Sequence, residues 1–412
     1  MKRFILIILT SLIFNNIGAK SYLVSEKAIC IAPVVDLLNV SAQLISPYTN
    51  PKSIYSAIPF SPEQESNDSA YLTCLRVHQA LFNEEVEILE ELDHEVKIQI
   101  NTAFYHISRN NFKKNSYWAL KSNFKKLNEL DVDKIPETID CNKTNYDELP
   151  KQKIIILTLP FYDKTTEKNY SVGTRFVYKN KDESFYIVYI YDVKSNKIVE
   201  TKISKNVALE FQKETNEKKI QNFINLIKLW THYNNKPLPY VWGGSSMQQL
   251  PSTTAQLKKQ VCNMDNCIST KNCQNMPHSG FDCSGLILRA AQICRIPYFF
   301  KDCLTINKHL DSIQQEDQIK AGDLIWFCGH IIVISDVRKN MCIEARGYTS
   351  GHGKLHEIEV GKIFKDINTF EQLKECHLKE TQIQVINKFG KVSRTLNKFR
   401  ILKLNSVFKF GN

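Results

Sequence analysis

A cysteine at the start of a predicted helix is the residue of this sequence best placed for nucleophilic chemistry. Cys283 lies within residues 280–285, which read Gly-Phe-Asp-Cys-Ser-Gly. Apolar residues then recur at helical spacing until Pro297. These residues are Leu286, Ile287, Ala290, Ala291, Ile293 and Cys294. The partial positive charge of a helix N-terminus favours a thiolate, the nucleophilic form of cysteine. The position therefore favours covalent catalysis, although a disulfide or core cysteine is the alternative.

Three predicted strands downstream carry an imidazole and a carboxylate that would complete such a site. Residues 322–327 and 329–334 are apolar enough for buried strands, and His330 opens the second. Residues 341–345 form a third apolar run around Glu344. A buried carboxylate is costly unless it is paired, so Glu344 is a candidate to accept the other imidazole N–H and fix the tautomer. The alternatives are a structural histidine and a glutamate that faces water.

The elements that position these residues begin with a helix. Apolar residues recur at helical spacing from Ile220 to Trp230, and we expect the helix to end near Tyr233. The domain that carries the candidate site therefore starts near residue 215. After residue 370 one strong strand is predicted, at 399–404.

The preceding part of the chain reads as two β modules. Residues 85–89 and 95–100 alternate apolar and polar side chains, the period of a half-buried strand. A second group of apolar runs has turn residues at a spacing that suits a small barrel. Its strands are predicted at 154–157, 174–178 and 185–190.

Length and composition fit a globular chain of several domains. The 412 residues exceed one core and suit two or three domains. Hydrophobic residues make up 43% and charged residues 24%, which excludes a fibrous or wholly disordered chain. The formal charge of +11 would suit an anionic polymer of a cell wall or a nucleic acid, although scattered lysines are more often a solvated surface. No zinc-finger, P-loop or RNA-recognition signature supports nucleic-acid binding, so we expect no nucleic-acid partner.

The first residues are typical of an export signal. Lys2 and Arg3 precede an apolar run from Phe4 to Phe14, and a cleavage site follows Ala19. The alternative, a membrane anchor, is weaker because a span needs about 20 apolar residues. We therefore predict a signal peptide at 1–19, no stable membrane anchor, and an exported protein that is periplasmic or extracellular.

The chain holds 12 cysteines, which in an exported protein suggests disulfides, but their scattered spacing gives no small-scaffold framework. Cys262, Cys267, Cys273 and His278 cluster just before the nucleophile block. Their spacing matches no standard zinc finger, so a disulfide with one spare thiol, or plain loop filling, is favoured over a metal site.

Four blocks in order give this sequence a resemblance to the NlpC-type cell-wall cysteine peptidases. The resemblance spans about residues 220–365. The blocks are Pro239-Tyr240-Val241-Trp242-Gly243-Gly244, Phe281-Asp282-Cys283-Ser284-Gly285, Gly322-Asp323-Leu324-Ile325 and Gly329-His330-Ile331-Ile332-Val333-Ile334. The resemblance implies a papain-like α+β fold in which a helix headed by the cysteine packs on a sheet that bears the histidine.

The same resemblance implies the roles of the site residues. Cys283 would be the nucleophile, His330 its base and Glu344 the residue that orients the base. Tyr240 matches a tyrosine beside the nucleophile, and the backbone around Cys283 and Ser284 would contribute to an oxyanion site. The sequence departs from the family at the third position, which is commonly histidine. His352 or His356 is therefore an alternative to Glu344. The insertion that holds Cys262 is a second departure.

The two β modules resemble the paired bacterial Src-homology-type barrels of one branch, the γ-D-glutamyl-diaminopimelate endopeptidases. The matching pieces, looser than the catalytic blocks, lie at 32–37, 79–86 and 171–176. The implied domains are barrels at 24–140 and 148–212, a peptidase domain at 215–370 and an extension at 371–412. By position, Glu84, Tyr117 and Asp302 are candidates to recognise the free amine and small side chain of a wall peptide.

The sequence thus predicts a hydrolase that cleaves γ-D-glutamyl-diamino acid amide bonds through a cysteine acyl-enzyme. Its partners would be peptidoglycan stem peptides or muropeptides. We expect it to need no cofactor or metal and to act as a monomer. The alternatives are a non-catalytic peptidoglycan-binding protein, and an amidase or acyltransferase with the same Cys-His pair, because that pair does not fix the acyl acceptor.

Overall fold

The computed structural model describes residues 22–46, 48–58, 75–106, 113–141, 148–235, 237–249 and 279–411. The predicted signal at 1–19 lies outside the described residues, and so do Cys262, Cys267, Cys273 and His278. Predictions that fall on these residues stay predictions. Within the described ranges, no helix is long and apolar enough to cross a membrane.

The first unit is an antiparallel sheet of seven strands. The strands of the sheet are β1 (Tyr22–Cys30), β2 (Val34–Leu38), β3 (Arg76–Leu81), β4 (Glu85–Glu91), β5 (Glu95–Gln99), β8 (Ser116–Leu120) and β9 (Phe124–Lys126). Two short helices, α1 (Ala42–Ile45) and α2 (Pro51–Ala57), follow β2, and a separate ribbon consists of β6 (Tyr105–His106) and β7 (Lys113–Lys114). The sheet order is β3-β2-β8-β5-β4-β1-β9, and β6 pairs with β7. Burial alternates along much of β4, as its sequence period predicts.

The second unit is a five-stranded antiparallel sheet in the order β15-β14-β13-β10-β16, beside a two-stranded ribbon, β11-β12. The strands are β10 (Ile154–Leu157), β11 (Phe161–Asp163), β12 (Lys168–Tyr170), β13 (Arg175–Lys181), β14 (Phe185–Asp192), β15 (Lys197–Ser204) and β16 (Ala208–Glu210). Ile29 and Phe82 of the first unit belong to its apolar core, so the two units pack together. That each is a Src-homology-type barrel stays a prediction.

The third unit combines helices with a five-stranded antiparallel sheet, so the chain has a mixed α+β fold. Its elements are α3 (Asn216–Thr231), β17 (Ser245–Ser246), β18 (Gly280–Phe281), α4 (Cys283–Ile293), α5 (Cys303–His309), β19 (Leu324–Phe327), β20 (His330–Asp336), β21 (Met341–Arg346), β22 (Lys354–Glu359), α6 (Phe370–Leu378), β23 (Ile383–Ile386), β24 (Val392–Leu396) and β25 (Phe399–Leu402). The sheet order is β22-β21-β20-β19-β25.

Short 3-10 helices connect several of these elements. They span Lys121–Asn123, Leu127–Glu129, Val132–Lys134, Tyr233–Asn235, Tyr348–Ser350, Val360–Lys362 and Leu404–Gly411. The helix predicted to end near Tyr233 is confirmed as α3, which ends at Thr231. Every residue of α4 is buried, because the sheet and α3 cover parts of its surface and the first unit contacts its polar side chains.

The end of the chain completes the third sheet. The strand predicted at 399–404 is confirmed as β25, which pairs antiparallel with β19. Ile401 and Leu402 are fully buried there. The segment that the sequence sets apart as an extension, 371–412, thus supplies the edge strand of the sheet that carries His330 and Glu344.

Candidate active site

The start of α4 is fixed by a buried acid. Asp282 is the N-cap of the helix and accepts a hydrogen bond from the backbone N–H of Gly285. Its other carboxylate oxygen lies 2.7 Å from Nζ of Lys301. This ion pair is buried, so the charge of the cap is compensated where water cannot solvate it. Cys283 is therefore held as the first residue of the helix, where the helix dipole favours a thiolate.

Two glycines let the chain approach this helix closely. A Cβ atom on Gly285 would lie 2.0 Å from the backbone oxygen of Gly244. Only a residue without a side chain fits this contact, so the loop after Tyr240 packs directly on the first turn of α4. The backbone of Tyr240 also forms a bridge with Phe281, two residues before the nucleophile.

The candidate base and its partner lie on neighbouring strands. His330 opens β20 and Glu344 lies in β21, which pairs with β20. Nε2 of His330 is 2.8 Å from one carboxylate oxygen of Glu344. Glu344 is only 1% exposed, which excludes the alternative of a glutamate that faces water.

Two further side chains hold the carboxylate of Glu344. His356 is its cross-strand partner in β22, and Nε2 of His356 lies 3.1 Å from the second carboxylate oxygen. Nη1 of Arg346 lies 3.4 Å from the same oxygen. Burial raises the pKa of Glu344, but the hydrogen bonds from His330 and His356 outweigh it and hold that pKa well below the usual range. Glu344 is therefore a carboxylate at neutral pH.

This arrangement separates the three candidates for the third site residue. Glu344 contacts His330 directly, whereas His356 contacts Glu344 from its other side. His352 stacks edge-on against His356 with ring centres 4.5 Å apart. The structure thus places Glu344 next to the imidazole and the two histidines behind it.

The imidazole of His330 lies close enough to the thiol of Cys283 for each group to shift the pKa of the other. The hydrogen bond to Cys303 and the nearby imidazole of His330 lower the pKa of Cys283 to about 5, although burial opposes the shift. Burial lowers the pKa of His330, but the nearby sulfur of Cys283 and the bond to Glu344 raise it to about 9. Between these values the pair exists as thiolate and imidazolium, the reactive form of a Cys-His site.

The sequence reasoning missed Cys303, whose sulfur lies 3.7 Å from that of Cys283. Its backbone oxygen accepts a 2.7 Å hydrogen bond from the indole of Trp326 in β19, which fixes the start of α5. A signal was present in the sequence, because an Asp-Cys pair that opens a helix occurs twice, at 282–283 and at 302–303. Both cysteines are free thiols, so the alternative of a disulfide at Cys283 does not hold here.

Tyr240 and Ser284, the two other residues predicted near Cys283, are both buried. Tyr240 is 6% exposed and belongs to the same apolar cluster as Cys283. The hydroxyl of Ser284 donates to Asp282 at 2.9 Å and lies 3.4 Å from Lys301. The hydroxyl of Ser284 is therefore occupied by Asp282 and Lys301, and only the backbone of Ser284 is left to bind a substrate.

The predicted recognition residues fall into two places. Tyr117 is fully buried. Asp302 is the N-cap of α5, next to Cys303, and it lies close enough to Tyr117 to raise the pKa of the Tyr117 hydroxyl. Burial, with Tyr105 and Asp302, raises the pKa of Tyr117 well above its usual value. Glu84 instead lies 2.8 Å from Nη1 of Arg289 in α4, an ion pair that neutralises its charge. Tyr117 and Asp302 thus lie on the side of Cys303, and Glu84 on the side of Arg289.

Comparisons with known proteins give one structural match. No protein-family model and no curated protein matches the sequence. A solved NlpC/P60 family protein from Bacillus cereus ATCC 10987 is similar in structure, with a TM-score of 0.51 and 16% sequence identity. The match covers 81% of this chain and 94% of that protein. At this identity a match shows the fold alone, and the chain has the fold of an NlpC/P60 family protein.

Proposed function

We propose that this chain is a cysteine peptidase that hydrolyses peptides of the bacterial cell wall, with Cys283 as nucleophile, His330 as base and Glu344 as the residue that orients His330. The observation that carries the proposal is that His330 lies close enough to Cys283 to lower the pKa of its thiol and is itself hydrogen-bonded to Glu344 at 2.8 Å. A nucleophile, its base and a third group that orients the base are the arrangement expected for covalent catalysis.

The reaction would begin with attack of the Cys283 thiolate on the amide carbon. Nε2 of His330 is bonded to Glu344, so Nδ1 is the ring nitrogen left to deliver a proton to the leaving amine. The acyl-enzyme would then be hydrolysed by water, which gives its proton back to His330. The first N–H groups of α4 have no intrahelical acceptor, so the backbone at Cys283 and Ser284 can bind the oxyanion.

We further propose that the bond cleaved is the amide between the γ-carboxyl of D-glutamate and a diamino acid. The support is the resemblance of the four sequence blocks and the fold shared with an NlpC/P60 family protein. Asp302 lies beside Cys303 and near Tyr117, and its carboxylate would attract the free amine of a short wall peptide. Glu84 has less support for this role, because Arg289 already neutralises it.

The test is digestion of purified muropeptides followed by mass spectrometry of the products. We expect the wild-type protein to release fragments cut at the γ-D-glutamyl bond. Cys283→Ala should abolish the cut and His330→Ala should nearly do so, because each removes one partner of the ion pair. Cys376→Ala is a matched control, since it removes a partly exposed free thiol on α6, outside the set of residues bonded to His330.

The products also separate the alternatives. Retained turnover in Cys283→Ala protein would refute the mechanism. No turnover, together with a Cys283 that a small electrophile does not label at neutral pH, would indicate an inert wall-binding protein. Products in which another amine replaces water would indicate an acyltransferase. Export to the cell wall is part of the proposal, and fractionation of cells that produce the full chain tests it separately.

A further inference from the structure

Two thiols face each other at the heads of two helices. Cys283 is the first residue of α4 and Cys303 the first residue of α5. Their sulfur atoms are 3.7 Å apart, and both cysteines are free. The residues are 8% and 9% exposed, so the contact is shielded from solvent and from large thiols. The proposed hydrolysis forms its covalent bond through Cys283 alone, and Cys303 has no covalent part in it.

The separation is short enough for a covalent bond to form with small movements. A disulfide has an S–S distance of about 2.05 Å, so the two sulfurs must approach by roughly 1.7 Å. Each cysteine begins its helix, and such a position bends more easily than the middle of a helix because the preceding residue is not helical. Rotation of the two side chains with a small shift of α5 provides this movement.

The two thiols differ in protonation, as a pair that reacts with a peroxide requires. The hydrogen bond to Cys303 and the imidazole of His330 keep Cys283 as a thiolate. The same hydrogen bond, together with burial, raises the pKa of Cys303 well above its usual value, so Cys303 keeps its proton. One sulfur is therefore ready to attack an oxidant, and the other is a protonated thiol in contact with it.

We propose that Cys303 is the resolving cysteine of a reversible modification site, at which a hydroperoxide converts Cys283 and Cys303 into a disulfide. In the first step the Cys283 thiolate attacks one oxygen of hydrogen peroxide, and the O–O bond breaks to give a sulfenic acid and hydroxide. In the second step the Cys303 sulfur attacks the sulfenic sulfur. The S–S bond forms, the S–O bond breaks, and the proton of Cys303 leaves with the hydroxyl group as water.

The atoms and electrons of these two steps balance. Two thiols lose two electrons and two protons, and one hydrogen peroxide accepts them to give two waters. A dithiol reductant reverses the modification by thiol-disulfide exchange. The disulfide occupies the sulfur that would attack a substrate, so the oxidised protein is protected from irreversible oxidation and is inactive. The disulfide itself rests on the two thiols and does not require the proposed peptidase activity.

The experiment is a peptide map of the reduced full-length protein after brief exposure to hydrogen peroxide and alkylation of the remaining thiols. Trypsin places Cys283 in the peptide 272–289 and Cys303 in the peptide 302–308. Cys273 shares the first peptide, so the map is made in a Cys273→Ser background. We expect the two peptides to be joined in most molecules and to separate on treatment with a dithiol.

Two variants make the assignment specific. In Cys303→Ser protein we expect no cross-link, and Cys283 should progress to sulfinic and sulfonic acids that a dithiol does not reverse. Cys294→Ser, just past the C-terminal end of the helix that Cys283 begins, is the matched control and should cross-link like the parent protein. Circular dichroism of the Cys303→Ser and Cys303→Ala proteins checks that both fold.

The proposal is overturned if peroxide oxidises Cys283 while Cys303 is still fully alkylated, or if Cys303→Ser leaves the reversibility of Cys283 oxidation unchanged. These outcomes are read from peptide masses. A protein without wall-peptide hydrolysis but with the cross-link would therefore refute the proposed function and leave the modification site standing.

Discussion

Replacement of Glu344 by glutamine tests the site most directly, because it removes a charge and keeps the size of the side chain. Glu344 is buried and lies 2.8 Å from Nε2 of His330. The amide that the substitution introduces has no negative charge with which to stabilise an imidazolium. The substitution leaves Cys283 in place and changes the group that contacts His330, His356 and Arg346.

The structure gives the size of the effect. Removal of one partner from a buried ion pair costs about 3 to 5 kcal/mol. Where the same amount is lost from stabilisation of the imidazolium in the transition state, it corresponds, at about 1.36 kcal/mol per factor of ten in rate, to a loss of roughly 10² to 10⁴. The same range follows from loss of the orienting residue of a catalytic triad, which reaches about 10⁴. The bond to Glu344 also helps to raise the pKa of His330 to about 9, so this pKa should fall in the variant.

The assay is muropeptide turnover as a function of pH. In Glu344→Gln protein we expect the maximal rate to fall by the amount above and the alkaline limit of activity to move to lower pH. His356→Ala is the comparison, because His356 contacts Glu344 and not the thiol, and its loss should be smaller. Wild-type turnover in Glu344→Gln protein, or a larger loss in His356→Ala protein, would refute the assignment.

Three further predictions follow from the same structure. The alkylation rate of Cys283 by iodoacetamide should rise as the pH passes about 5 and level off before neutrality. An ordinary thiol continues to gain reactivity up to about pH 8.5. A rise in the alkylation rate near that higher pH would contradict the ion pair. Gly285→Ala should lower the free energy of unfolding by about 1 to 3 kcal/mol or more and reduce turnover, because its Cβ would meet Gly244, and an unchanged urea midpoint would contradict this contact. Ile401→Ala should lower the free energy of unfolding in urea by about 2 to 5 kcal/mol, because Ile401 is fully buried. Lys398→Ala, at an exposed position, should change it by no more than about 0.5 kcal/mol. Equal effects of the two substitutions would mean that β25 does not stabilise the sheet.

The parts of the site that could be predicted from sequence are those with a local signal. The apolar stripe after Cys283 predicts a helix, and the helix begins at that residue. The apolar runs around His330 and Glu344 predict strands, and both residues lie in strands of one sheet. A charge inside an apolar strand predicts a paired carboxylate, and Glu344 is paired. In each case the period of the pattern and the cost of burial are readable within a few residues.

The parts that could not be predicted depend on contacts between distant segments. Cys303 follows Cys283 by 20 residues, and only the packing of α5 beside α4 brings the sulfurs together. The hairpin of β23 and β24 gave no signal, because β24 is exposed along most of its length and lacks an apolar stripe. Lys301 resembles any surface lysine in the sequence, yet it is 4% exposed and balances the acid that caps the nucleophile helix.

The first unit also contributes to the site in a way that local patterns cannot show. Arg289 of α4 donates to Glu84 and to the backbone oxygen of Gln79, and Gln292 of the same helix donates to the backbone of Thr102. These three bonds tie the first unit to the helix that begins with Cys283. A residue such as Glu84 can therefore affect catalysis without touching a substrate, because it helps to set where the nucleophile helix lies.

The same contacts give the first unit a part in the proposed chemical step. The thiolate is stabilised by His330 on the sheet of the third unit and by Cys303 on α5, so α4 must be positioned closely against both. Its first turn is pressed on the backbone of Gly244, and its polar side chains are held by the first unit. A helix held on several sides by buried contacts has little freedom to shift, and this keeps the sulfur of Cys283 near His330 and Cys303.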